Sequence, residues 1–144
     1  MCDLCMCTLL QGDAPASVHA DKNLLRMVLQ NLISNAIKYS NEKGRVECEI
    51  GRGGIREKVL SIRITDSGIG IPKAEQAHVF ERLHRASNAQ KLVPDGTGLG
   101  LYLVKTIIDH VGGTISFDSV EGTGTTFFVS CPLSWEGRVT TTTP

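Results

Sequence analysis

Asp21-Lys22-Asn23-Leu24-Leu25-Arg26-Met27-Val28-Leu29-Gln30-Asn31-Leu32-Ile33-Ser34-Asn35-Ala36-Ile37-Lys38-Tyr39-Ser40 is the stretch whose reading decides the fold. Leu25, Val28, Leu29, Leu32, Ile33, Ala36 and Ile37 recur at helical spacing and give one apolar stripe. Asp21 is a good N-cap, since its carboxylate can accept the free N–H groups of the first turn. The helix is expected to end near Tyr39 to Ser40, before Asn41 and Gly44. An amphipathic helix of this length needs a surface to cover, and the sequence around it supplies strands.

Val46 to Ile50 and Val59 to Thr65 read as strands joined through Gly51-Arg52-Gly53-Gly54, which predicts a hairpin. Thr114 to Ser119 and Thr125 to Cys131 form a second pair around Glu121-Gly122-Thr123-Gly124, and Leu4 to Leu10 reads as a further strand broken by Gly12-Asp13-Ala14-Pro15. Pro72 suits the first turn of a short helix running to about Leu83, and Leu99 to His110 keeps helical spacing until Gly112-Gly113 stops it. Residues 84 to 97 hold no sustained period and read as a mobile loop. Three helices and about five strands, without strict β-α-β alternation, predict an α+β two-layer sandwich. Its expected form is a mixed, mostly antiparallel five-stranded sheet with three helices on one face.

The 144 residues suffice for one domain with a real core, and 41% of them are hydrophobic. Fifteen basic and fifteen acidic residues cancel, so no global field draws the chain to nucleic acid or anionic lipid. No apolar run reaches the ~18 residues that span a bilayer. Five cysteines, an odd number, argue for reduced thiols in a cytoplasmic compartment. Cys48 and Cys131 fall in strand-like runs as packing residues. Cys2, Cys5 and Cys7 form C-x-x-C-x-C without the second C-x-x-C or H-x-x-x-H of a zinc site, and read as the start of an edge strand.

Four motifs follow in fixed order over roughly 95 residues: Asn31-x-x-x-Asn35, Asp66-x-Gly68-x-Gly70, Gly96-x-Gly98-x-Gly100 and Gly122-x-Gly124. Asn31 and Asn35 lie one above the other on their helix, with Lys38 on the same flank. The Asn35 carboxamide is a hard neutral oxygen suited to Mg²⁺, and Lys38 can offset phosphate charge. Asp66, at a strand end, can accept a hydrogen bond from an exocyclic amino group of adenine, while Gly68 and Gly70 permit a tight turn. Gly96-Thr97-Gly98-Leu99-Gly100 opens onto a helix whose free N–H groups favour polyphosphate. It lacks the G-x-G-x-x-G of a Rossmann turn and the Gly-Lys-Ser/Thr of a P-loop. Each motif also has a plain structural reading: a solvated helix face, an Asp-Ser-Gly turn, a hinge before a helix. Together they describe one nucleotide pocket built from distant loops.

The runs Asn31-Leu-Ile-Ser-Asn35-Ala-Ile-Lys-Tyr-Ser, Asp66-Ser-Gly-Ile-Gly-Ile-Pro72, Val79-Phe-Glu-Arg82, Gly96-Thr-Gly-Leu-Gly-Leu101 and Gly122-Thr-Gly-Thr-Thr-Phe127 resemble the N, G1, F, G2 and G3 boxes of sensor histidine kinases. These kinases belong to an ATPase superfamily, with the Bergerat ATP-binding fold, that also holds gyrase, Hsp90 and MutL. The resemblance covers roughly residues 17 to 133. It implies a lead-in with an edge strand over 1–16, a catalytic domain over 17–133 and a disordered tail over 134–144.

The resemblance also implies roles. Asn35 would hold Mg²⁺, Asp66 the adenine amino group, and Gly96, Thr97, Gly98, Leu99, Gly100 and Leu101 the phosphates of ATP. Lys38 and Arg85 match positions that approach the phosphates and Tyr39 one near the nucleoside. Gly68, Gly70 and Ile71 belong to the turn at the base. Phe80 matches the hinge of the ATP lid, though ordinary core packing would serve it equally. Thr125 matches a position near the base.

In gyrase- and Hsp90-type members the position of Asn31 carries a glutamate that activates water, which asparagine cannot do. The resemblance therefore implies phosphoryl transfer to a histidine on a separate dimerisation domain, with a response regulator downstream. It also implies a cytoplasmic location, compatible with a membrane-anchored parent chain. His19, His78, His84 and His110 all lack a phosphoacceptor context. The alternatives are an ATPase of the gyrase and Hsp90 type and a noncatalytic nucleotide-sensing module.

Overall fold

The computed structural model describes residues 6–11, 18–53 and 59–135; for residues 6–11 and Trp135 it describes the backbone. In chain order the elements are β1 (Met6–Gln11), β2 (His19–Ala20), α1 (Lys22–Tyr39), β3 (Arg45–Gly53), β4 (Val59–Asp66), a 3₁₀ helix (Lys73–His78), α2 (Ser87–Leu92), α3 (Gly100–His110), β5 (Thr114–Val120), β6 (Gly124–Pro132) and β7 (Ser134–Trp135).

Asp21 caps α1 as its side chain predicts: Oδ1 accepts from Asn23 N at 2.8 Å and Leu24 N at 3.3 Å. At the other end Ser40 Oγ donates to the Ala36 carbonyl at 2.7 Å, and the chain leaves in an extended conformation. Val28, Leu32 and Ala36 are the buried positions of α1, and Val104, Ile107 and Ile108 those of α3. The spacing of three and four residues puts each set on one stripe.

The main sheet runs β1-β3-β4-β6-β5. β3, β4, β6 and β5 pair antiparallel, while β1 pairs parallel with β3 and occupies the edge. A parallel pair needs a crossover rather than a tight turn, and α1 lies within that crossover. The fold is thus the expected α+β sandwich with a mixed five-stranded sheet. A second, two-stranded parallel sheet of β2 and β7 was not legible in the sequence. It pairs two strands of only two residues each, too short for any periodicity.

Strand alternation sets the core. Leu60, Ile62 and Ile64 of β4 and Phe127, Val129 and Cys131 of β6 are buried at every second position, facing α1 and α3. Cys48 and Cys131 are buried in this layer, as packing residues should be. Cys2 and Cys5 lie outside the described residues, and Cys7 is described only as backbone in β1.

Three expectations are corrected. Ser134 and Trp135, read as the start of a disordered tail, pair as β7 with β2. The helix expected from Pro72 to Leu83 is a 3₁₀ helix of six residues, Lys73–His78, with none of them buried. Val79 then turns inward and is buried, Phe80 packs partly buried against the core, and Leu83 adopts a φ of 64°. Anchoring these two side chains takes the segment off any helical path. The segment read as an aperiodic mobile loop, 84 to 97, contains the helix α2. Its order comes from hydrogen bonds to other elements, which periodicity does not report.

Candidate functional site

Between α1, the end of β4, and the segment carrying α2 lies a pocket of about 620 Å³. From α1 it is lined by Asn31, Ser34, Asn35, Lys38 and Tyr39; from the sheet by Asp66, Thr125 and Phe127; from the following turn by Ile69, Gly70 and Ile71. His84, Arg85, Asn88, Ala89, Gly96, Thr97, Gly98, Gly100 and Leu101 close the opposite side. Fourteen of the seventeen residues named from the sequence therefore share one cavity. Gly68, Phe80 and Leu99 do not line it.

Those three have structural places. A Cβ at Gly68 would stand 2.2 Å from the Tyr39 carbonyl oxygen, so the turn after β4 can lie against the end of α1 only with glycine there. Ile69 N donates to the Tyr39 carbonyl at 3.0 Å and closes that contact. Phe80 meets Phe117 edge to face at 5.7 Å, which is core packing. Leu99 precedes α3 and is exposed.

Asp66 sits on the helix-covered face because it continues the alternation of Leu60, Ile62 and Ile64 to the strand's last position. It is 9% exposed. Burial pushes its carboxyl up to about 6, against the smaller opposing effect of the Gly68 and Thr125 backbone N–H groups; Oδ1 accepts from Gly68 N at 2.9 Å. Thr125 is buried directly opposite Asp66 in the β4–β6 register. Two oxygen-bearing side chains thus form the polar end of an otherwise apolar row.

At the other end of the pocket, α3 begins against the asparagines of α1. A Cβ at Gly100 would lie 2.8 Å from Asn31 Oδ1 and 3.9 Å from Asn35 Nδ2. Asn31 Nδ2 donates to the Met27 carbonyl at 2.8 Å, which fixes the orientation of the amide. The first N–H groups of α3, with the positive end of its dipole, therefore face the Asn31–Asn35 side of α1.

The segment over 84–97 is fastened at several points. Glu75 accepts from Ser87 N at 2.8 Å and from Ser87 Oγ at 2.6 Å, contacts that hold its carboxyl below the usual carboxylate range. Asn88 Nδ2 donates to the Gly70 carbonyl at 2.9 Å, tying α2 to the turn beneath the pocket. The Arg85 guanidinium donates to the carbonyls of Pro94 at 2.7 Å, of Ala89 at 3.5 Å, and of Val93. It lines the pocket while binding carbonyls in and just beyond the C-terminal end of α2. Among the described residues, the one buried side-chain nitrogen or oxygen without a partner is His84 Nε2.

Sequence reasoning missed Ser34, His84, Asn88 and Ala89. Ser34 had a signal, since it stands three residues from Asn31 and four from Lys38 on the same helix flank. The other three had none, because only the folded-back path of the 84–97 segment brings them to the pocket.

The model of the histidine kinase-, DNA gyrase B-, and HSP90-like ATPase family matches residues 20–134. The chain belongs to this family. Its relatives lie on the sensor histidine kinase side. It is 41% identical over 124 residues to the sensor histidine kinase WalK of Bacillus subtilis, an alignment spanning 86% of this chain and 20% of WalK. The chain therefore spans about a fifth of that relative's length. The solved mycobacterial sensor histidine kinase MprB superposes with a TM-score of 0.77 at 30% identity, covering 91% of this chain and 85% of that one. Full-length ShkA in complex with AMPPNP superposes with a TM-score of 0.70 at 26% identity over 89% of this chain and 25% of that one. Among the described residues no helix is long and apolar enough to cross a membrane.

Proposed function

We propose that residues 17–133 form the catalytic domain of a sensor histidine kinase, binding Mg²⁺-ATP in this pocket and donating its γ-phosphoryl group to a histidine on a separate dimerisation domain. The observation that carries the reading is the convergence of three chemistries on one cavity. A buried carboxylate, Asp66, accepts the adenine amino group; the Asn31–Asn35–Lys38 face and the α3 N-terminus take the phosphates; Arg85 approaches from the lid. Tyr39 lies on the nucleoside side. The complex of the similar protein ShkA with AMPPNP supports the ligand class.

The donor set fits a hard cation held mainly by its nucleotide. Asn35 offers one neutral oxygen, and among the described residues no group of three or more His, Cys, Asp or Glu side chains gathers to hold an ion unaided. Mg²⁺ bound this way would neutralise the phosphate charge, with the remaining ligands from phosphate and water. Transfer, rather than hydrolysis, follows from Asn31. Its carboxamide has no basic group to activate water, and its nitrogen is already bonded to the Met27 carbonyl. The protein's contribution is then positioning and charge compensation.

The remaining partners are the dimerisation domain of a parent kinase and a response regulator downstream; the odd cysteine count suits a cytoplasmic setting. Incubation with γ-labelled ATP, with and without a dimerisation domain from a similar kinase, tests the reading. The expected result is acid-labile label on the added domain and none on this chain. Rapid phosphate release by the chain alone would favour the hydrolase alternative.

A further inference from the structure

We propose that Ser119 is a positioning residue that sets the purine preference of the site by fixing the Thr125 hydroxyl as a hydrogen-bond acceptor, an inference that rests on the ATP-binding reading above. Ser119 lies in β5 directly opposite Thr125, which in turn lies opposite Asp66, so the three form one row across β5, β6 and β4. Thr125 and Asp66 line the pocket and Ser119 stands behind them.

The proton inventory of Ser119 decides the direction. Its Oγ accepts from Ile71 N at 2.8 Å, lies 3.1 Å from the Gly124 carbonyl oxygen and 2.9 Å from Thr125 Oγ1. A hydroxyl has one proton and two lone pairs. The Gly124 carbonyl only accepts, so the Ser119 proton goes there, and the second lone pair is left for the proton of Thr125. With its proton turned back to Ser119, Thr125 shows the pocket lone pairs only. Asp66, when ionised, is also acceptor-only. Two acceptors side by side match the exocyclic amino group of adenine, directly or through water, and oppose the carbonyl oxygen that guanine carries at the same place. Gln76 braces the arrangement, its Nε2 donating to the Ile71 carbonyl at 3.0 Å and the Ser119 carbonyl at 3.1 Å.

The test is calorimetric titration of the chain with MgATP and with MgGTP. The wild type is expected to prefer MgATP. In Ser119→Ala the Thr125 hydroxyl is freed to rotate and donate, so the ratio of the two affinities should fall about tenfold, the worth of one directed hydrogen bond. Ser119→Thr keeps the hydroxyl and should keep the ratio. In a Thr125→Val background, Ser119→Ala should leave the ratio unchanged.

A ratio unmoved by Ser119→Ala, or an equal loss for both nucleotides, would overturn the proposal, because a merely structural serine acts on both alike. If thermal melting shows Ser119→Ala unfolded, Ser119→Cys, with its weaker donor and acceptor, is held to the same criterion. Binding of neither nucleotide by the wild type would remove the ATP reading and this inference together. An intact preference for MgATP with no response to Ser119 removes the inference alone.

Discussion

Replacing Asp66 by asparagine should make the nucleotide-free protein more stable and a poorer binder of ATP. Burial raises the Asp66 carboxyl from 3.8 to about 6. A raised carboxyl pKa means that the folded state holds the proton more tightly than the unfolded chain. The stability it confers is complete below 3.8, lost as pH rises toward 6, and absent above. The interval is 6 minus 3.8, about 2.2 units, and at 1.36 kcal/mol per unit the ionised carboxylate weakens the fold at pH 7.5 by roughly 3 kcal/mol. Asparagine is neutral at every pH and keeps an oxygen for the Gly68 N–H, so Asp66→Asn should recover up to about that amount at pH 7.5 and almost nothing at pH 3.5. The same change removes one of the two acceptors at the base, and a hydrogen bond to a charged group is worth about 1.5–3 kcal/mol. ATP should therefore bind roughly 10- to 100-fold more weakly. Urea unfolding of both proteins at several pH values, paired with calorimetric titration of MgATP, measures the two effects. A variant less stable than wild type at pH 7.5, or a stability difference that does not change with pH, would refute the burial argument; equal ATP affinities would refute the role in recognition.

Asp21→Ala removes the two N-cap hydrogen bonds of α1 and should destabilise the protein by about 1 kcal/mol in urea unfolding, while Asp21→Ser should restore most of it. Asn35→Ala should shift the Mg²⁺ concentration needed for phosphotransfer upward by about tenfold, read from transfer rates at limiting metal; an unchanged metal dependence would leave Asn35 a structural helix residue. Glu75→Ala removes the carboxylate that accepts from Ser87 N and Oγ, so the amide hydrogens of Gln90 in α2 and of Val93 just after it should exchange several-fold faster without nucleotide. Exchange in the variant at the wild-type rate would show that the lid is held elsewhere.

The legibility of the chain follows the range of the forces involved. α1, the two hairpin pairs and α3 rest on local periodicity and on caps a few residues away, and each lies within a residue or two of its expected bounds, apart from the longer C-terminal end of β3. The pocket was legible because each motif has its own chemistry, so Asn35, Asp66 and Gly100 could be placed together before any contact was known. The lid was not. Its helix depends on Glu75 reaching Ser87, Asn88 reaching the Gly70 carbonyl and Arg85 gathering the carbonyls of Ala89, Val93 and Pro94. Two of these three pairings join segments 12 and 18 residues apart, with no pattern in the sequence to announce them.

Site and core are in fact one construction, read at different positions along the same strands. Leu60, Ile62 and Ile64 supply the packed layer under α1 and α3, and the next residue in the same alternation is Asp66; Cys131, Val129 and Phe127 lead in the same way to Thr125. The polar pair inherits its burial from the strands that carry it. Registry then does the rest: a one-residue slip of β6 against β4 would send Thr125 to the open face and leave Asp66 beside a different neighbour. A buried carboxylate that weakens the empty protein is tolerable only where its acceptor character is used. The cost at Asp66 and the recognition of a base are therefore expected to rise and fall together.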